Sequence, residues 1–305
     1  MFRLVKKLNV LALIIPASGC SSPASHTDIE AKYRNAQSQT VQVTGMKIHY
    51  RDEGSGEPIL LLHGTGSSLH TWDQWASSLA PHYRVIRVDL PGSGLTEPHP
   101  AAAYEVADDV RFVHAFLEQL GVDKVHIAGN SLGGRIAWQF AVDHPEQTQT
   151  LTLLNALGYP QDSWPPAIQF AQYPVFDTLM ASYLPRFAFT TSLRDIYHDK
   201  DLISDELVDR YYEISTLDGK REAFTQRVKA RLDQDSALIP QVQVPALILW
   251  GEEDKYFPVK NAYRFHEDIA GSRLVVYQDV AHLPMEEVPR QSATDFEGFL
   301  REHPL

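Results

Sequence analysis

The sequence predicts an α/β protein: a mostly parallel central sheet flanked by helices, with an inserted helical cap. Short apolar runs alternate with amphipathic stretches along most of the chain, which is the pattern of strands joined by crossover helices. One long segment breaks this alternation and is crowded with aromatic side chains. Within the alternating part, residues 124–140 hold a Gly-x-Ser-x-Gly turn between an apolar run and a helical pattern.

The predicted elements follow in order along the chain. A hairpin of residues 41–43 and 47–51 comes first, and the continuous apolar runs after it are typical of strands buried on both faces. The remaining predicted strands are residues 59–62, 83–88, the run around 125–127, 149–154, 246–250 and 273–277. The predicted helices are residues 72–79, 106–120, a stretch beginning near 135, and 289–302.

Residues 157–238 form the predicted cap, which divides a core of residues 40–156 and 239–305. No convincing strand pattern occurs in it. We expect most of its aromatic side chains to fill the cap's own interior and a few to face a ligand, because pockets form between subdomains and have apolar linings. The aromatic residues are Tyr159, Trp164, Phe170, Tyr173, Phe176, Tyr183, Phe187, Phe189, Tyr197, Tyr211, Tyr212 and Phe224.

The turn Gly129-Asn130-Ser131-Leu132-Gly133 fits a nucleophile. A serine at a sharp strand-to-helix turn has a strained backbone and presents its oxygen outward, and its neighbours must lack side chains so that strand and helix can approach. The following helix directs its N-terminus at the serine, which favours a developing negative charge. The alternative is a glycine-rich turn with a bystander serine.

The first residues differ from the rest. Arg3, Lys6 and Lys7 precede a short apolar run, 8–16, that is too short for a stable membrane anchor, and small residues lead to Cys20. This resembles a bacterial lipoprotein signal peptide, although Ala17 stands where leucine is usual. The resemblance implies export, removal of residues 1–19 and lipidation of Cys20, the chain's one cysteine. A plain secretory signal is the alternative, and residues 20–39 are expected to be a flexible tether.

Five sequence blocks, in order, resemble the α/β-hydrolase superfamily, and the likeness spans residue 41 to the C-terminus. One is the serine turn itself. The block at Asp89 resembles a turn with a structural role in this family, and Asp89 is expected to be structural here. The blocks are His63-Gly64-Thr65-Gly66, Asp89-Leu90-Pro91-Gly92-Ser93-Gly94, Gly129 to Gly134, Trp250-Gly251-Glu252-Glu253-Asp254 with Pro258, and Ala281-His282 with Glu287 and Pro289.

The resemblance implies a catalytic triad of Ser131, Asp254 and His282. His282 would take the proton of the serine, and Asp254 would orient and stabilise the imidazole. Two other carboxylates, Glu252 and Glu253, precede Asp254 and are expected to be solvated loop charges. Some family members place the acid after the preceding strand, where this chain has Asn155, which cannot carry the charge.

The resemblance also implies an oxyanion hole formed by the main-chain N–H groups of Thr65 and Leu132. A serine nucleophile indicates hydrolysis of a carboxylic ester or related acyl bond. A C–C bond hydrolase, a lactonase and a perhydrolase of the same fold remain alternatives, and Leu283 after His282 disfavours the first, since those enzymes commonly have tryptophan there. A non-catalytic binding lipoprotein is the alternative from another class.

Composition excludes some partners and cofactors. The formal charge of −12 leaves no basic stripe for nucleic acid. The histidines lack metal-ligand spacing, and the glycine loops lack the lysine of a phosphate loop. We therefore expect no cofactor and no metal, a small acyl ester as substrate, and a membrane contact through the lipid anchor only. The oligomeric state is left open.

Overall fold

A computed structural model describes residues 25–161, 164, 168–169, 173, 178, 180–230 and 235–305. The strands form one eight-stranded sheet in the order β1-β2-β4-β3-β5-β6-β7-β8. The N-terminal hairpin is antiparallel, and β2 also runs antiparallel to β4, whereas every pair from β4 to β8 is parallel. The predicted α/β class with a mostly parallel sheet is confirmed.

The strands agree with the sequence prediction to within a few residues. Their bounds are β1 Ser38–Val43, β2 Met46–Glu53, β3 Pro58–Leu62, β4 Arg84–Val88, β5 Val125–Asn130, β6 Thr148–Leu154, β7 Ala246–Gly251 and β8 Arg273–Tyr277. In β3 the four residues from Ile59 to Leu62 are completely buried. Both faces of this strand are therefore covered, as its unbroken apolar run predicts.

Helices cover the sheet and the region between β6 and β7. We number the described α-helices α1 His26–Tyr33, α2 Asp73–Leu79, α3 Val106–Gln119, α4 Leu132–Asp143, α5 Arg186–Ile196, α6 Asp205–Ser215, α7 Lys220–Lys229, α8 Lys260–Asp268, α9 Pro284–Glu287 and α10 Pro289–Glu302. Short 3₁₀ turns occupy Leu69–Trp72, Lys200–Leu202 and Ser236–Gln241. Apolar side chains from α3, α4 and α8 pack on one face of the sheet, and those from α2 and α10 pack on the other.

The connection from β6 to β7 passes through the predicted cap. Helices α5, α6 and α7 lie in it, and no strand occurs among its described residues. Helix α7 lies across the sheet-end loops, because a Cβ on Gly92 would come within 2.5 Å of Ala223 Cβ and one on Gly66 within 3.4 Å of the Phe224 ring. Phe170 and Phe176, which the sequence assigned to this segment, lie outside the described residues.

The segment before β1 requires a correction. Residues 26–33 of the expected flexible tether form helix α1, and the last two tether residues, 38 and 39, begin β1. Ile29 and Tyr33 are buried against Ile214 and Leu217 near the end of α6. Ile29 and Tyr33 are four residues apart, so they share one face of a short helix. The residues around them are polar, and the apolar face was therefore not recognised from the sequence.

None of the described helices combines the length and the apolar character that a membrane crossing requires. The N-terminal apolar run and Cys20 lie outside the described residues.

Candidate active site

Ser131 occupies the turn between β5 and α4 in a backbone conformation that side chains rarely adopt. Its φ and ψ are 56° and −116°. The flanking glycines make the turn possible, because a Cβ on Gly129 would lie 2.2 Å from the main chain of Gly133, and one on Gly133 would lie 2.1 Å from Leu62 O. Strain of this kind persists only where surrounding contacts hold it.

Neighbouring main-chain groups hold the strained serine. Its N–H donates to Leu154 O at 3.1 Å, and its carbonyl accepts from Leu157 and Arg135 N–H at 3.1 and 3.0 Å. The strand β6 and the residues after it therefore fix the turn from one side, and Ser131 lines the cavity.

His282 and Asp254 form a buried pair. The distance from His282 Nδ1 to Asp254 Oδ2 is 2.7 Å, and the two residues are 5% and 6% exposed. Asp254 Oδ1 accepts N–H bonds from Tyr256 and Phe257 at 2.8 and 3.1 Å. Because the carboxylate accepts at Nδ1, the imidazole has its lone pair on Nε2.

The neighbouring carboxylates are placed differently. Glu252 and Glu253 are exposed, whereas Asp254 is buried at the turn after β7. Only Asp254 of the three bonds to His282. Close approach of this loop to the His282 loop depends on Gly251, where a Cβ would lie 1.9 Å from Ala281 O.

Asn155 supports Asp254, a role that the sequence analysis missed. Its Nδ2 donates to Asp254 Oδ2 at 2.7 Å, and its Oδ1 accepts from Gly251 N–H at 3.0 Å. The side chain is completely buried. The signal was its position after β6, where some family members have the acid; here an amide occupies that place and orients the acid that follows β7.

Asn130 links the serine turn to the histidine loop. Its Nδ2 donates to Leu154 O at 3.1 Å and to His282 O at 3.0 Å. The main chain of His282 is therefore fixed relative to the residue that precedes Ser131. This second asparagine was also not recognised from sequence, because its acceptors are main-chain atoms far along the chain.

Ser131 and His282 line the same cavity. Among the described hydrogen bonds, none joins the Ser131 hydroxyl to the His282 ring. Catalytic hydrogen bonds are often long in free enzymes and shorten when substrate binds. The rings of Tyr256 and Phe257 lie 5.6 and 5.4 Å from the imidazole, centroid to centroid, and burial raises the pKa of Tyr256 to about 12. The phenol beside the imidazole is therefore neutral.

Thr65 and Leu132, whose main-chain N–H groups are the expected oxyanion donors, lie beside the serine. Both residues line the cavity, and a Cβ on Gly64 would lie 3.0 Å from Ser131 Cβ, so the Thr65 loop passes directly against the serine. Leu132 is the first residue of α4, and an N–H at that position has no acceptor within its own helix. Within the described chain, neither amide donates to a main-chain carbonyl.

His63 holds the Thr65 loop in position. Its Nε2 accepts from Leu90 N–H at 3.0 Å, so Nδ1 carries the proton and donates to Gly64 O at 2.8 Å. Burial lowers the pKa of His63, which keeps the ring neutral. The histidine therefore bonds to main-chain groups on both sides and supports this loop.

The Asp89 carboxylate accepts hydrogen bonds from the turns at this edge of the sheet. It accepts from Leu69 and Leu95 N–H at 2.7 and 2.9 Å and from His49 Nδ1 at 2.7 Å. Burial acts to raise the pKa of Asp89, but the bond and charge of His49 outweigh it and hold the pKa well below its usual range. Gly94 lies so close that a Cβ would come within 2.0 Å of this carboxyl group.

The cavity has a volume of about 650 Å³. The serine turn, the Thr65 loop and His282 form its floor, and cap residues form its walls. Five of the aromatic cap residues line it: Trp164, Tyr173, Phe189, Tyr211 and Phe224. Others pack elsewhere; the Tyr159 ring lies 4.8 Å from Phe265, and its hydroxyl donates to Asp268 at 2.9 Å.

Positive side chains line the cavity wall, and no negative ones do within the described part of the chain. Arg210, Lys220, Arg221, Arg227 and Lys229 line it, whereas no aspartate or glutamate does among the described residues. The Arg227 guanidinium is paired with the buried Asp109 at 2.5 Å. Neither Lys220 nor Arg221 has a carboxylate within 4.0 Å in the described part of the chain, and burial lowers the pKa of Lys220 to about 8. No group of three potential metal-binding side chains occurs among the described residues.

Residues 57–289 match the sequence profile of the alpha/beta hydrolase fold. The 2-hydroxy-6-oxo-2,4-heptadienoate hydrolase of Pseudomonas putida is 29% identical over 268 residues, which is 84% of this chain and 91% of that protein. A solved meta-cleavage product hydrolase from Pseudomonas fluorescens is 26% identical with a TM-score of 0.78, covering 88% of this chain and 100% of its own. A bacterial membrane phospholipase A is 26% identical with a TM-score of 0.75, covering 87% and 86%. The chain is therefore a hydrolase that belongs to the α/β-hydrolase family.

Proposed function

We propose that the protein is a serine hydrolase that cleaves carboxylic esters through an acyl-enzyme on Ser131. The observation that carries the proposal is the convergence of three features on one cavity. These are a serine in a strained turn, a histidine whose Nδ1 bonds to a buried aspartate at 2.7 Å, and the lining residues Thr65 and Leu132, which would supply main-chain N–H donors.

The reaction follows from this arrangement. His282 Nε2 takes the proton of Ser131 Oγ while the oxygen attacks the ester carbonyl carbon. The carbonyl oxygen becomes an oxyanion, which the Thr65 and Leu132 N–H groups stabilise. When the C–O bond to the leaving group breaks, His282 returns the proton to the departing alcohol. A water molecule then repeats the sequence on the acyl-enzyme, which releases the carboxylic acid and restores Ser131.

A panel of 4-nitrophenyl esters of increasing acyl length tests the proposal, with Ser131→Ala as the control. The folded wild-type protein should release nitrophenol with saturation kinetics, and the variant should lose this activity. Wild-type protein that hydrolyses none of the esters, or no faster than Ser131→Ala, would refute ester hydrolysis at this site.

Hydrolysis of a C–C bond is the second candidate. Two observations favour it. Two of the relatives are a 2-hydroxy-6-oxo-2,4-heptadienoate hydrolase and a meta-cleavage product hydrolase. The described residues that line the cavity include arginines and lysines but no aspartate or glutamate. Lys220 and Arg221 suit a substrate that carries an anionic group. Leu283, where C–C hydrolases of this fold commonly have tryptophan, argues against it. A 2-hydroxy-6-oxo-dienoate substrate, run beside the esters, separates the two: the larger kcat/KM identifies the reaction.

We propose that the cap spans residues 157–238. We also propose that the cap selects the substrate. The support is the position of α5, α6 and α7 over the cavity, with apolar side chains such as Leu193 and Phe224 in its wall. Such walls discriminate by only ~1–3 kcal/mol per methylene, so the preference among acyl chains should be graded.

Export with lipidation of Cys20 is the proposed route to the cell envelope, and Ser21 after the cysteine favours the outer membrane as its destination. It rests on the sequence alone: the signal-like residues 1–19, Cys20 and Ser21. Stable anchoring needs two or more acyl chains, which bacterial lipoprotein modification supplies. Fractionation of cells that express wild type or Cys20→Ala tests it. Wild type should enter the membrane fraction and the variant should not; a soluble wild type would leave simple secretion in its place.

A further inference from the structure

The loop that carries His282 is hydrogen-bonded to the end of cap helix α5. The His282 N–H donates to Ile196 O, the last residue of that helix, at 3.0 Å. Ile196 also lines the cavity. The candidate base therefore has a main-chain contact with the cap in addition to its bond to Asp254.

Glu287 joins the same two segments more extensively. One oxygen, Oε1, accepts the N–H of Ala281, the residue before His282, at 2.8 Å. The other, Oε2, accepts the N–H groups of His198 and Asp199, just beyond α5, at 2.6 and 3.1 Å. One carboxylate thus bridges the histidine loop and the cap through three main-chain donors.

Glu286, the preceding residue, makes contacts of a different kind. Its Oε1 accepts from the Thr71 hydroxyl, and its Oε2 accepts from the Tyr197 hydroxyl at 2.6 Å. Hydroxyl groups can rotate and accept a hydrogen bond instead of donating it, whereas a main-chain N–H can only donate. Glu286 Oε2 also lies 3.7 Å from a guanidinium nitrogen of Arg210. The two adjacent glutamates therefore touch the same part of the cap, but only Glu287 depends on main-chain donors alone.

We propose that Glu287 is a positioning residue that holds His282 in place by hydrogen-bonding the histidine loop to the cap. The inference rests on the proposed function, because it assigns His282 as the base. It acts through geometry: Glu287 fixes the main chain on one side of the imidazole, and Asn130 fixes the His282 carbonyl on the other. A catalytic group displaced by about 1 Å loses on the order of 10²-fold in rate.

The substitutions Glu287→Gln and Glu286→Gln form a matched pair. In Glu287→Gln, one oxygen becomes an NH₂ group that faces a main-chain donor, so at least one N–H loses its acceptor. In Glu286→Gln, the new NH₂ group can replace Oε1 and donate to the Thr71 hydroxyl, which leaves an oxygen facing Tyr197 and Arg210. We expect Glu287→Gln to lower kcat by about 10- to 100-fold with KM within about 2-fold, and Glu286→Gln to keep kcat within about 3-fold. Equal effects of the two on kcat, or an effect of Glu287→Gln on KM or on the unfolding temperature alone, would overturn the proposal.

A second pair avoids changing the half-buried Glu287 carboxylate, in case Glu287→Gln does not fold. Asp199 has φ of −78°, which proline can adopt, so Asp199→Pro removes the N–H that donates to Glu287. Both Asp199→Pro and Asp199→Ala lose the side-chain bond to Asp201 N–H. A lower kcat in Asp199→Pro than in Asp199→Ala supports the proposal, and equal kcat values contradict it.

Fluorophosphonate labelling separates this inference from the proposed function. The labelling rate depends on the activation of Ser131 by His282 and not on the identity of the substrate. If wild type hydrolyses no ester but is labelled, ester hydrolysis fails, and slower labelling of Glu287→Gln than of Glu286→Gln still supports the positioning role. If wild type is not labelled, both proposals fail together.

Discussion

The loops at the carboxyl ends of the strands and the helices between β6 and β7 line one cavity but are built differently. The loops contribute polar groups with defined partners, such as the His282–Asp254 pair and the asparagines that hold it. The cap contributes apolar walls and basic side chains. Under the proposed function, the loops would determine which bond is attacked, and the cap would determine which molecule is brought to them.

Loss of the nucleophile should have the largest effect on kcat. Ser131→Ala and His282→Ala should each reduce kcat by ~10⁴-fold or more, because the two groups act as a unit and their losses are not additive. The double variant should be no worse than either single one. Steady-state kinetics with a short ester measures this. A Ser131→Ala protein that keeps more than a few per cent of activity would show that these loops do not carry out the reaction.

Asp254→Asn should follow in size. It places an NH₂ group where the acid now accepts from His282 and Asn155, so the imidazole loses its preferred tautomer, and a fall in kcat of ~10²- to 10⁴-fold is expected. Glu252→Gln and Glu253→Gln are the controls, since both side chains are exposed, and each should remain within about 2-fold. If Glu253→Gln were the damaging change, the catalytic acid would be Glu253 and not Asp254.

Asn155→Asp should have an intermediate effect with a distinctive pH dependence. The substitution replaces the Nδ2 donor, 2.7 Å from Asp254, with a second carboxylate. Two carboxylates so close hold a proton between them to higher pH than either would alone. The acid limb of the kcat/KM profile should therefore move upward in pH, whereas Asn155→Ala should lower the rate about 10-fold with little displacement of that limb. An Asn155→Asp profile that overlays the wild-type profile would contradict the supporting role.

The sequence predicted the loops better than it predicted what holds them. The alternation of apolar and amphipathic runs was sufficient for the sheet, and glycines around Ser131 marked the turn, because no other residue fits the contacts there. Asn130, Asn155 and Glu287 were not recognised as supports, because each bonds to main-chain groups from distant segments. Helix α1 was missed for another reason: its buried face consists of Ile29 and Tyr33 alone within a polar stretch.

Changes in the cap should be smaller and should depend on the substrate. Phe224 lines the cavity, and its ring lies 3.4 Å from where a Cβ on Gly66 would be. Phe224→Ala should change the ratio of kcat/KM between long and short acyl esters by about 10-fold, with kcat for the shortest ester within about 3-fold. An equal loss on every ester would mean that this side chain supports the Thr65 loop rather than the choice of substrate.

The smallest expected effect concerns the contact of α1 with the cap. The Tyr33 hydroxyl donates to Glu213 at 2.6 Å. Tyr33→Phe removes this bond and should lower the free energy of unfolding by about 1 kcal/mol, with kcat on the shortest ester unchanged. Urea denaturation measures the first and steady-state kinetics the second. A large loss of activity without loss of stability would show that α1 influences the cavity through α6.

Covalent labelling of Ser131 tests the central claim most directly. Wild type, Ser131→Ala and Asp254→Asn are treated with a fluorophosphonate, and the labelled peptide is identified by mass spectrometry. The account predicts one label per wild-type chain on the peptide that contains Ser131, none on Ser131→Ala, and much slower labelling of Asp254→Asn. A folded wild-type protein that takes no label, or takes it on another residue, would contradict the assignment of Ser131 as an activated nucleophile.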